Sequence, residues 1–216
     1  MSDANAGPHQ DQPLIEAGTS LESAEAALVL VHGRGASARS ITQLGRQVHD
    51  EGVALLAPQA AGSEWYPNSF LAPVESNEPG RTSGLQAIED AIEKARNAGI
   101  PNERIMLAGF SQGACLASEF LARNSTRYGG LAALSGGLLG ETVDPADYEG
   151  DLAGTPVFIG CSDVDPHIPA ERVRETAAVF ETLSADVDMR LYEGMAHTVN
   201  REEQERVAEL VAELVN

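Results

Sequence analysis

Along the chain, short unbroken apolar runs alternate with stretches in which apolar positions recur every three or four residues. Ala26 to Val31 (Ala-Ala-Leu-Val-Leu-Val), Val53 to Ala57, Leu131 to Ser135 and Pro156 to Cys161 have strand length and little polar alternation, as expected of parallel strands buried on both faces. Val187 to Tyr192 reads as the last strand and Pro13 to Ala17 as a short edge strand. Between them, Ser40 to Glu51 has a helical pattern, and Leu85, Ile88, Ile92 and Ala95 make an apolar stripe with Glu89, Asp90 and Glu93 between them, closed by Gly99 and Pro101. Gln112 to Arg123, the stripe Val173, Ala177, Phe180 and Leu183, and the stripe Val207, Leu210, Val211 and Leu214 predict three more helices. Strand and helix alternate without an internal repeat, which predicts an α/β fold with a single, mostly parallel sheet and helices on both faces. Catalytic groups in such sheets lie at the carboxyl ends of the strands.

The 216 residues suffice for one domain with a substantial core and are too few for two of typical size. Residues 1–12 are polar and without periodicity, so a disordered or loosely attached tail is expected there, with the domain over 13–216. Two stretches interrupt the alternation. Gly136 to Gly154 reads as a loop. Gln59 to Thr82 holds Gly62, Pro67, Pro73, Pro79 and Gly80 and concentrates the aromatics Trp65, Tyr66 and Phe70. Long loops are usually functional, so these three rings are assigned to a substrate-binding wall, the alternative being that they pin the loop to the body.

The formal net charge of −19 leaves no Lys/Arg-rich face for phosphates, so neither nucleic acid nor stable membrane association is expected. Lys94 is the single lysine, and the dispersed Asp and Glu suggest a halophile's solvated acidic surface, with an acidic mesophilic protein as the plainer alternative. Cys115 and Cys161 fall in predicted helix and strand and read as buried free thiols. No apolar run has transmembrane length and no signal segment follows Met1, so a cytoplasmic location is expected. The five histidines include no His-x-x-x-His pair, so no metal and no cofactor are expected.

Candidate chemistry centres on Ile105 to Ala114, an apolar run ending in Gly109-Phe110-Ser111-Gln112-Gly113. A serine becomes a useful nucleophile when it is exposed on a sharp strand-to-helix turn, and glycines on either side give the backbone room. Alone, Gly-x-Ser-x-Gly arises by chance in about one chain in ten of this length. Here a strand precedes it, small residues follow it, and acids and histidines lie downstream in the expected order. A second glycine turn, His32-Gly33-Arg34-Gly35, follows a buried strand and can aim amides at an anion; without the Gly-Lys-Ser/Thr of a P-loop, an oxyanion site is favoured over a phosphate site. His32, His167 and His197 compete as base, and His197 is favoured because it alone follows the last strand. Asp163 and Asp165 compete as the acid.

Gly-Phe-Ser-Gln-Gly at 109–113, His-Gly-Arg-Gly at 32–35, Asp-Pro-His-Ile-Pro at 165–169 and Tyr-Glu-Gly-Met-Ala-His at 192–197 together resemble the phospholipase/carboxylesterase family of α/β hydrolases, from about Ala26 to the C-terminus. The resemblance implies an α/β-hydrolase fold without a large cap domain. It also implies Ser111 as nucleophile, Asp165 as acid, His197 as base, and the backbone N–H groups of Arg34 and Gln112 as the oxyanion hole. Trp65-Tyr66-Pro67 in a proline-rich loop resembles a prokaryotic predicted-esterase branch more than the thioesterases. The expected activity is hydrolysis of carboxylic esters through an acyl-enzyme. The alternatives are acyl-thioesterase or lysophospholipase activity, or a noncatalytic binding protein on the same fold. The partners expected are a small-molecule ester and, at most, a second copy of the chain in a homodimer.

Overall fold

A computed structural model of the chain describes residues 7–216. Seven strands, β1 (Leu14–Gly18), β2 (Ala26–Val31), β3 (Val53–Pro58), β4 (Ile105–Phe110), β5 (Gly130–Leu134), β6 (Pro156–Ser162) and β7 (Asp186–Tyr192), form one sheet in the order β1-β3-β2-β4-β5-β6-β7. Only β1 runs antiparallel to its neighbour. Every residue of β2, β3 and β5 is buried, as their unbroken apolar runs require.

The sheet separates two apolar cores. On one face lie α1 (Ala38–Val48) and α5 (Arg201–Glu213), whose Ile41, Val48, Val207, Leu210 and Val211 pack on Leu28, Leu30, Leu55 and Phe158. On the other lie α2 (Gly80–Asn97), α3 (Gln112–Arg123) and α4 (Ala170–Thr182), covering Val29, Leu56, Leu107 and Ile159. Each fully buried Leu, Ile or Phe contributes about 1.5–3 kcal/mol, so the strands that carry the site's loops are among the most firmly held parts of the molecule.

Three expectations change. The tail expected over residues 1–12 is fastened from Gly7 onward, while residues 1–6 lie outside the described residues. His9 is buried, its backbone N–H donates to Ser83 Oγ (2.9 Å), one ring nitrogen meets the Trp65 carbonyl (2.9 Å) and the other accepts from the Ala61 amide (3.0 Å). The helix expected from Leu85 begins at Gly80, because Glu78 reaches over Pro79 to accept the Thr82 amide (3.0 Å) and pair with Arg81 (3.1 Å), supplying the missing cap. The helix expected over Ser40 to Glu51 is set two residues earlier by Ser37, which forms a capping box with Ser40.

Candidate active site

Ser111 stands between β4 and α3 with φ 55° and ψ −121°, a conformation that side chains other than glycine's rarely adopt. The turn is tight enough that a Cβ on Gly109 would lie 2.5 Å from the Gly113 carbonyl oxygen, and one on Gly113 2.1 Å from that of Val31. The Ser111 amide donates to the Leu134 carbonyl (2.9 Å), which ties the strained residue to β5.

The loop after β7 brings His197 to this serine from 86 residues away. Its Nε2 accepts from Ser111 Oγ at 2.9 Å and its Nδ1–H donates to Asp165 Oδ2 at 2.7 Å. Asp165, in the loop after β6, also accepts the amides of His167 (2.8 Å) and Ile168 (3.0 Å) on its other oxygen. Burial pushes the Asp165 carboxyl up, but the hydrogen bonds from His197 and the two amides outweigh it and leave the group below its ordinary range. Phe110 and His167 flank the imidazole with ring centroids 4.9 Å away on either contact.

The competing residues have other partners. His32 is fully buried; its Nε2 accepts from the Ala60 amide (3.1 Å), which leaves its proton on Nδ1, donated to the Gly33 carbonyl (2.8 Å). Burial lowers its pKa, so it stays neutral. Asp163 accepts the Gly194 amide (2.8 Å) and thereby fastens the start of the His197 loop.

A cavity of about 540 Å³ opens beside Ser111, lined by Gly33, Arg34, Tyr66, Phe70, Phe110, Gln112, Ile168 and His197 among others. Of the three rings assigned to a substrate wall, Tyr66 and Phe70 line this cavity. Trp65 does not: it is fully buried away from the cavity, because its indole N–H finds the His32 carbonyl at 2.8 Å and its ring packs between His9 and His32. Trp65 is therefore corrected from substrate wall to loop anchor. Gln112 and Arg34 hold the same segment. The Gln112 carboxamide accepts the Trp65 amide (3.0 Å) and donates to the Tyr66 carbonyl (2.8 Å). The Arg34 guanidinium donates to the carbonyls of Tyr66 (2.7 Å), Asn68 (2.9 Å) and Pro67 (3.1 Å) and pairs with Glu64. The Gln112 N–H, in the first turn of α3, is among those a helix leaves without an internal acceptor.

Phe110, His167 and Ile168 line the cavity without having been singled out for it by sequence; Phe110 is the variable position of the elbow, whose neighbour in space no spacing rule reveals. Cys115 reaches the cavity one turn into α3, and burial pushes its thiol up to about 11, so it remains protonated. Among the described residues no group of three or more His, Cys, Asp or Glu is placed to hold a metal ion, and no helix is long and apolar enough to cross a membrane.

Comparison with known proteins follows the same lines. Two acyl-protein thioesterases 1 are similar: that of Kluyveromyces lactis is 35% identical over 62% of this chain and 60% of its own length, and that of Candida albicans 33% identical over 59% and 57%. The chain thus spans less than two thirds of these relatives. A crystal structure of a phospholipase/carboxylesterase from Dyadobacter fermentans superposes with a TM-score of 0.91 at 38% identity, covering 96% of this chain and 100% of that one. The carboxylesterase of Bacillus cereus, at 18% identity and a TM-score of 0.71 over 95% of each chain, shares the fold. Residues 12–215 match the family described as phospholipase/carboxylesterase, and with the α/β-hydrolase sheet in place the chain belongs to that family.

Proposed function

We propose that the chain is a serine hydrolase that cleaves carboxylic esters through an acyl-enzyme, with Ser111 as nucleophile, His197 as general base and Asp165 as the orienting acid. The observation that carries this reading is the continuous hydrogen-bond chain from Ser111 Oγ through His197 to Asp165, at the mouth of a cavity. As Ser111 Oγ bonds to the ester carbonyl carbon, its proton passes to His197 Nε2; Asp165 holds the proton on Nδ1 and stabilises the imidazolium. The carbonyl oxygen becomes an oxyanion, received by the backbone N–H groups of Arg34 and Gln112. Collapse expels the alcohol, which takes the proton from His197. Water, deprotonated by the same imidazole, then releases the acid and restores Ser111. Tyr66 and Phe70 would pack against the substrate.

The thioesterase reading uses the same groups with a thiol as leaving group, and the acyl-protein thioesterases among the relatives favour it. A panel of 4-nitrophenyl esters and matched thioesters of graded chain length separates the two. A noncatalytic binding protein would need no Ser111–His197 bond. The substrate is read as a small-molecule ester and the location as cytoplasmic, with the net charge of −19 keeping nucleic acid outside this reading. The decisive experiment is Ser111→Ala: a fluorophosphonate probe should label the native chain at Ser111 only, and the variant should lose kcat by a factor on the order of 10⁶ with its fold intact. Equal turnover by the variant ends the proposal.

A further inference from the structure

The loop that carries His197 ends at α5, and its last turn is built in an unusual way. Asn200 caps α5, accepting the Glu203 amide on Oδ1 (2.9 Å), while Glu203 Oε2 accepts the Asn200 amide (2.8 Å). Reciprocal capping of this kind ordinarily sits at the surface, and in α1 the same box is made by the half-buried Ser37 and the exposed Ser40. In α5 the carboxyl is completely buried.

Burying a carboxylate costs heavily unless every lone pair is met. Glu203 is met on one side only. Its Oε1 has no hydrogen-bond partner among the described residues. That oxygen fills the space beside Gly160 of β6, where a Cβ would stand 2.2 Å from it. The next residue of the strand, Cys161, points its thiol at Asp165 Oδ2, 3.9 Å away. The carboxyl therefore wedges the start of α5 against the strand that leads into the Asp165 loop. Asn200 carries the contact onward, its side-chain amide reaching Met195 Sδ at 3.1 Å, and His197 lies between these two residues. At the other end of the loop, Asp163 holds Gly194.

The titratable groups around Glu203 do not neutralise it. Glu202 precedes it on α5, while the Tyr192 phenol on β7 and the Cys161 thiol on β6 both feel its charge. Capping a helix does not require this arrangement, whereas fixing a loop to within a fraction of an ångström does.

We propose that Glu203 is a positioning residue for His197: its carboxyl clamps Asn200 against β6 and so fixes the loop that presents the imidazole to Ser111 and Asp165. This rests on the reading of His197 as the base. Three variants test it. Glu203→Met keeps the volume and removes the acceptor, Glu203→Gln keeps both, and Gly160→Ala displaces the carboxyl without altering it. Each is compared with the native chain by thermal melting, by hydrolysis of 4-nitrophenyl butyrate per fluorophosphonate-titrated site, and by the low-field proton resonance of His197 Nδ1–H. Glu203→Met should melt no lower than the native chain yet lose kcat by about tenfold or more, with KM within about twofold, because sub-ångström misplacement acts on the transition state. Its His197 resonance should shift or broaden. Gly160→Ala should lose kcat in the same way, and Glu203→Gln should restore native kcat to within about threefold. Native kcat with an unmoved resonance in Glu203→Met or Gly160→Ala overturns the proposal, as does a Gln variant as impaired as the Met one. Should the native chain hydrolyse no ester, the esterase reading fails while the resonance still decides the clamp.

Discussion

Glu119 on α3 and Glu203 on α5 are both completely buried, and they are held in opposite ways. Glu119 Oε1 pairs with Arg81 (2.8 Å) and Arg123, and its Oε2 accepts from the Leu139 amide (3.3 Å) and the Tyr148 hydroxyl (3.4 Å). These donors come from α2, from α3 itself and from the 136–154 loop, so one carboxylate ties together three segments through residues that do not line the cavity. Glu203 has the Asn200 amide and one empty oxygen. A fully met buried charge fastens a fold; a half-met one weakens it, and is tolerated where the position of a neighbouring group matters more than stability. Asp165 is the third member of the set. It is met by one imidazole and two amides, and is the one of these three carboxylates in direct contact with His197.

Removing charge should have its largest effect where contact with His197 is direct. Asp165→Asn should lower kcat by a factor on the order of 10³–10⁴, because an amide can hold the wrong imidazole tautomer and cannot stabilise the imidazolium. Asp163→Asn should cost less than about tenfold, since its amide oxygen can still accept from Gly194. Steady-state kinetics on one ester decide this, and the reverse ranking would transfer the acid's role to Asp163.

The next effect falls on stability alone. Glu119→Ala leaves Arg81 and Arg123 facing each other without their shared anion, and should destabilise the fold by about 3–5 kcal/mol in denaturant titration. Turnover per folded molecule should change little, because none of the donors to Glu119 lines the cavity. A neutral result would mean that full partnering gives no more stability than half, and the contrast with Glu203 would collapse.

What could be read from the sequence was what depends on near neighbours. The strands were legible because Ala26 to Val31 and Val53 to Ala57 are apolar at every position, which only burial on both faces explains. The elbow was legible because its glycines answer a local backbone demand. Contacts between distant segments were not. Trp65 looks like Tyr66 and Phe70 in sequence; what buries it is a carbonyl 33 residues away. His9 reads as tail in sequence because its partners lie in the 59–65 loop and on α2, 52 to 74 residues on. Asp163 and Asp165 both follow the same strand, so sequence position alone does not tell them apart, whereas their partners differ: Asp165 meets the His197 imidazole and Asp163 the Gly194 amide. Glu203 is not marked by its residue type, which is ordinary on the polar face of a terminal helix. It lies four residues before Val207 and seven before Leu210, on the stripe that packs on the sheet, so its position was available from periodicity although its burial contradicted its type.

The smallest expected effect is also the most specific, because it reads the half-met carboxyl by its proton. Burial raises Glu203 to about 7, with the Asn200 hydrogen bond opposing and the charge of Glu202 adding to the rise, against 4.5 for an ordinary glutamate. Below 4.5 the group is protonated in folded and unfolded chains alike, and contributes no slope. Between 4.5 and about 7 the folded chain holds a proton that the unfolded chain has released, so stability falls as pH rises through that window. Above it both forms are ionised and the loss is complete. At about 1.4 kcal/mol per unit, the total is on the order of 3 kcal/mol. Glu203→Gln carries no such proton. Its amide N–H₂ beside Gly160 has a fixed cost at every pH, so the variant's absolute stability can lie on either side of the native value, and the slope is what discriminates. Unfolding in urea at pH 4.5, 5.5, 6.5 and 8 should give a variant-minus-native difference that climbs across the window and then levels. A difference that stays flat would show that Glu203 titrates like a surface carboxylate, and the contrast with Glu119 would then lie in geometry alone.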